Sequence, residues 1–185
     1  MDGAIVDPDT EFVDELRNKR LGMSETVQLQ IRRYTDAVRR AHRLEPDEVV
    51  ALARLIARRP DAEAVFAAAG RYLAEHAYDT VPRMARRAVQ ALPGLLARPV
   101  ALRQMRRMAR RYFNGRVLRE GNALLLEVAE PITVHEGDER EAGCAYYAVG
   151  FAELLRLLVA HGGAVEHVRC VTRAEGACEW RAAWR

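Results

Sequence analysis

The chain has 185 residues, 50% of them hydrophobic and 30% charged, and its 29 basic and 26 acidic side chains leave a formal net charge of +3. This length buries a core without disulfide scaffolding, and no apolar run approaches the roughly 18 residues of a membrane span. A soluble globular protein is expected, and three cysteines, an odd number, exclude a simple disulfide framework.

The N-terminal stretch MDGAIVDPDTEFVDEL is acidic and has neither a basic region nor an apolar one. No secretory signal is expected there, and the location expected is cytoplasmic. Helical patterning follows. SETVQLQIRRYTDAVRRAHR opens on Ser24 as a cap and spaces Val27, Ile31, Tyr34 and Val38 along one helical face. EPDEVVALARLIARRPD has Pro46 and acids in its first turn and Arg58, Arg59 and Pro60 at its end. In DAEAVFAAAGRYLAEHAYD, Gly70 and its small neighbours predict close packing against another backbone. Two further helices are predicted over Thr80 to Leu92 and Val100 to Phe113.

After YFNG the period changes to that of strands. GRVLREGNALLLEVAEPITV contains a Gly121-Asn122 turn between two apolar segments, the signal of a hairpin. REAGCAYYAVGFAELLRLLVAHGG predicts a long helix ending at Gly162 and Gly163. GAVEHVRCVTRAEGACEWRAAW predicts a second hairpin turning at RAEG. Helices first, then antiparallel strands with one helix inserted among them, define an α+β fold: a helical bundle packed with an antiparallel sheet, ending as hairpin, long helix and hairpin.

Cys144 falls in the first turn of the long helix, and Cys170 and Cys178 flank the terminal turn. An antiparallel hairpin brings the latter two together, and a helix N-terminus docked beside them favours thiolate over thiol. Zinc takes four nitrogen or sulfur ligands in tetrahedral geometry, and His167 is the nearest fourth candidate. His135, His161, Glu166 and Glu175 are the substitutes. A regular strand would turn His167 and Cys170, three positions apart, to opposite faces, so irregular backbone is predicted near Val168. Buried cysteines packed as small hydrophobes are the alternative.

CAYYAVGFAELLRLL, followed by VEHVRC and RAEGACEW, resembles the 4-vinyl reductase domain family, in order and spacing, over the last third of the chain. A weaker similarity at AAAGRYLAEHAYD extends it over residues 65–185 and leaves residues 1–64 as a helical extension suited to dimerisation. In phenol-responsive activators of that family a structural zinc is held by three cysteines and a glutamate three residues before the second cysteine. The resemblance therefore implies zinc on Cys144, His167, Cys170 and Cys178, with His167 in place of the glutamate. It also implies a hydrophobic or aromatic small-molecule ligand held between helices and sheet, in a non-enzymatic sensor or carrier. Two other readings stand beside it: a tetrapyrrole vinyl reductase or its accessory protein, and an interaction scaffold like related trafficking subunits.

Phe113, Tyr147, Phe151 and Trp180 are the residues expected to line such a pocket, with plain core packing as the alternative. The arginines of RPVALRQMRRMARRYFNGR are read as the solvated face of an amphipathic helix, because no base-reading motif accompanies them. Nucleic acid is thus not an expected partner; a homodimer and a protein partner are. His76 with Glu75, and the acidic run from Glu136 to Glu141, are read as surface charge.

Overall fold

A computed structural model of the chain describes residues 25–40, 45–91, 94–134, 141–159 and 164–184. It divides into two compact units, residues 1–60 and 61–185. In the first, helix α1 spans Glu25–Arg39 and α2 spans Pro46–Ala57. Pro46 opens α2, where its missing N–H costs nothing, and the Glu48 carboxylate accepts the Glu45 N–H at 3.3 Å. Arg33 ties α1 to α2 through the same carboxylate, at 2.8 Å. The Ser24 cap lies outside the described residues.

The second unit contains helices α3 (Ala62–Asp79), α4 (Arg83–Ala91), α5 (Gly94–Tyr112) and α6 (Cys144–Val159). Its strands are β1 (Arg116–Glu120), β2 (Ala123–Val128), β3 (Val165–Arg169) and β4 (Cys178–Ala183). They form one antiparallel sheet in the order β1-β2-β4-β3, so both expected hairpins are present and β2 joins them by pairing with β4. No helix among the described residues is long and apolar enough to cross a membrane.

Two helix starts differ from the pattern-based expectation. Thr80 closes α3, its hydroxyl donating to the Ala77 carbonyl at 2.7 Å, and α4 begins only after Pro82, which biases the residue before it away from helical geometry. Helix α5 begins at Gly94 and runs through Pro99. The proline removes one backbone hydrogen bond, but burial of Ala97 and Ala101 on either side carries the helix across it.

The core lies between α3, α5, α6 and the inner face of the sheet. Helices α3 and α6 cross at backbone distance. A Cβ on Gly70 would stand 2.0 Å from the Tyr146 carbonyl oxygen, and one on Gly150 would stand 2.7 Å from the Phe113 ring. Gly70 thus has the close-packing role its sequence context predicts. The register aligns Val117, Leu126, Trp180 and His167 in one row across all four strands, with Cys178 two residues from Trp180 on the same face.

Candidate metal centre

Three short segments converge at one end of this sheet. The first is the start of α6. Gly143 has no room for a side chain, since its Cβ would lie 1.8 Å from the Thr133 carbonyl oxygen, and the Thr133 hydroxyl donates to the Gly143 carbonyl at 2.8 Å. That contact presses the helix start against residues 131–134 and fixes Cys144 as the first residue of α6. The second segment is the end of β3, where the register shifts between His167 and Arg169. This is the irregularity that the three-residue spacing requires, and it returns Cys170 to the face that carries His167. The third is the start of β4, which begins at Cys178 after a 3-10 turn over Val171–Arg173 and a left-handed Ala174.

The ligand atoms of Cys144, His167, Cys170 and Cys178 all lie within 4.8 Å of one another. The Cys144 and Cys170 sulfurs are 3.6 Å apart and those of Cys170 and Cys178 3.7 Å. A tetrahedral ion with metal–sulfur bonds of about 2.3 Å separates its sulfurs by about 3.8 Å, so the spacing matches. All three cysteines are buried and free.

His167 supplies a second test of fit. Its Nδ1 lies 3.4 Å from the Glu141 carboxylate, while its Nε2 is buried and has no hydrogen-bond partner. An orphaned buried ring nitrogen is costly. Beside three thiols, it is the atom a metal would use, with the carboxylate fixing the tautomer from the other side.

Glu141 ends the acidic run that the sequence pattern reads as surface charge, and the structure corrects that reading for this residue. Residues 136–140 of the run lie outside the described residues, but the Glu141 carboxylate is half-buried and also accepts from the Thr172 hydroxyl at 3.0 Å and Arg173 Nε at 3.1 Å. The available signal was its position, three residues before Cys144, just as His167 is three before Cys170. Sulfur is satisfied too: the Thr172 hydroxyl lies 3.0 Å from the Cys170 sulfur, and the Val171 N–H donates to the Cys178 sulfur at 3.4 Å.

The thiols share their protons unequally. Hydrogen bonding from Cys144 holds Cys178 well below the ordinary thiol range against the opposing effect of burial, with the approach of the His167 imidazole and then the Val171 N–H adding to the effect. The same bond, and then burial, raises Cys144; burial raises Cys170. Cys178 is thus the thiol that gives up its proton most readily, and a bound cation would replace the protons of the cluster.

Of the substitute ligands, Glu175 turns its carboxylate away to accept the Cys170 N–H at 2.7 Å, and Glu166 is exposed opposite Arg181. His135 and His161 lie outside the described residues. Phe113, Tyr147, Phe151 and Trp180 all sit in the buried core. Trp180 stacks between His167 at 5.1 Å and Tyr147 at 4.9 Å, and Tyr147 continues to Phe113 at 6.2 Å. The Tyr147 hydroxyl accepts the Ile132 N–H at 3.0 Å.

Fold and site together define an α+β domain whose helix start and C-terminal hairpin meet at a cluster of three cysteines and a histidine able to hold a metal ion. Comparison of the sequence with protein-family models and with curated proteins gave no match.

Proposed function

We propose that this chain is a zinc-stabilised ligand-binding domain of the 4-vinyl reductase type. Cys144, Cys170, Cys178 and His167 Nε2 would hold the ion. The observation that carries this reading is the buried, partnerless Nε2 of His167 beside three mutually close thiols. Four side-chain ligands complete a tetrahedral shell, the arrangement of structural rather than water-activating sites. Bound there, zinc supplies a cross-link between the start of α6 and both arms of the β3–β4 hairpin.

The ligand class, a hydrophobic or aromatic small molecule, comes from the family resemblance. Two features support it. The aromatic column leads inward from the metal ligands, and the Trp180 indole N–H within it is buried without an acceptor. An aromatic guest carrying a carbonyl or phenolic oxygen would satisfy that N–H. Phe113, Tyr147 and Trp180 pack on one another, so a guest would have to part them. Leu29, exposed on α1, offers an apolar contact to a second copy.

Native mass spectrometry of freshly purified protein tests ligand and assembly together. Expected are a dimer and an added small-molecule mass that disappears on denaturation. A chain that carries zinc but neither retains such a mass nor binds added phenolic or tetrapyrrole compounds would turn the reading towards an interaction scaffold.

A further inference from the structure

Residues 80–119 contain eleven arginines and no acidic residue, in a chain whose overall charge is only +3. A general preference for arginine would account for Lys19 being the only lysine, but not for a forty-residue gap in acids. The fold concentrates this charge. Arg103, Arg107, Arg110 and Arg111 are exposed along α5, where they line an open groove of about 740 Å³ with Pro99 and Leu102. Ion pairs between described residues of this unit engage other arginines instead: Arg86, Arg116, Arg156, Arg169, Arg173 and Arg181. Arg106 is held separately, its Nε donating to the Val117 carbonyl at 3.2 Å.

From this geometry we infer, against the expectation drawn from the lack of a base-reading motif, that the arginine face of α5 is a sequence-independent binding surface for the phosphate backbone of a nucleic acid. From Arg103 to Arg107 to Arg110, steps of four and three residues advance the backbone about 6 and 4.5 Å along the helix axis, and Arg111 follows one residue on. The result is a run of forked donors that pair with no acid among the described residues, suited to a polymer that repeats its charge every few ångströms. Base readout is not involved; contacts of this kind position a backbone and carry no sequence information. An anionic membrane is the weaker match. The apolar side of α5, Ala101, Met105, Met108 and Ala109, is buried in the core and unavailable for insertion among headgroups.

The test is fluorescence anisotropy of the full chain with a labelled 20-base-pair DNA duplex of mixed sequence, at 50 to 200 mM potassium chloride. Four phosphate contacts predict about a hundredfold loss of affinity over that range, independent of sequence. The fourfold variant Arg103→Gln, Arg107→Gln, Arg110→Gln, Arg111→Gln is expected to lose most binding and most of the salt dependence. Arg39→Gln, in the other unit, should match wild type. Because the fourfold variant could lose its fold, Arg107→Glu alone is a second probe, expected to weaken binding at least tenfold with unchanged circular dichroism. The inference is overturned by absence of binding at 50 mM salt, by an Arg107→Glu protein that binds as tightly as wild type, or by displacement of the duplex by phosphatidylserine vesicles at matched phosphate concentration.

Discussion

His167 lies flat on Trp180, with ring centroids 5.1 Å apart and planes inclined by 12°. The stack fixes the imidazole plane, and Glu141 fixes its rotation by meeting Nδ1. A proton held at Nδ1 by that carboxylate would leave the Nε2 lone pair free for a cation. Glu141→Gln replaces a charged acceptor by an amide of the same size. Zinc affinity, measured by competition with a chelator of known strength, is expected to fall by about 10- to 100-fold. An unchanged affinity would remove Glu141 from the site.

Removing the ion should loosen the chain locally. The four ligands come from α6, β3, the segment after it and β4, whereas the crossing of α3 and α6 rests on apolar packing that needs no metal. Hydrogen exchange after chelation is therefore expected to accelerate in residues 165–170, 178–183 and the first turn of α6. Amides in the middle of α3 should change less. Uniform acceleration throughout the unit would mean that the metal holds the whole fold, and no change would mean that it holds nothing.

Gly70 admits no side chain because the Tyr146 carbonyl occupies the place of its Cβ. Gly70→Ala must push α3 away from α6, and overpacking of this kind costs about 1–3 kcal/mol or more. Denaturant unfolding should show a lower midpoint with a similar slope. A midpoint equal to that of wild type would mean that the two backbones do not approach as described.

Much of this arrangement was legible in the residues themselves. The α+β order followed from a change of hydrophobic period after Phe113, and the hairpins from Gly121-Asn122 and from the apolar runs flanking RAEG. The four-residue cluster was legible as a candidate because cysteine and histidine are few, but spacing alone left plain core packing and four substitute ligands open, and the choice of His167 came with the family resemblance. The bulge between His167 and Arg169 followed from strand alternation, since two residues three apart reach one site only if the strand breaks step. Less legible was what depends on partners distant in sequence. Pro99 inside α5 is tolerated because core packing outweighs a lost hydrogen bond. Glu141 looks like one more surface acid until its contacts with His167, Thr172 and Arg173 are seen.

Glu153 gives stability a pH dependence of known sign. It is buried on α6, where hydrogen bonds from the Arg156 guanidinium hold its carboxyl below the usual range against the opposing effect of burial, with Arg71 adding attraction. A group whose folded pKa is lowered stabilises the fold above its unfolded value, about 4.3, and loses that contribution as pH falls through the folded value. Glu153→Gln should therefore be less stable than wild type at pH 7, and the gap should narrow at pH 3.5. Urea unfolding at the two pH values measures it; a gap that widens in acid would reverse the sign.

The central claim is that Cys144, His167, Cys170 and Cys178 hold one ion. Zinc-to-chain stoichiometry, measured by elemental analysis of protein prepared without chelator, tests it most directly. The account predicts a ratio near one for wild type and near zero for Cys170→Ser and Cys178→Ser. A wild-type ratio near zero that stays there after added zinc, or serine variants that keep their zinc, would contradict it.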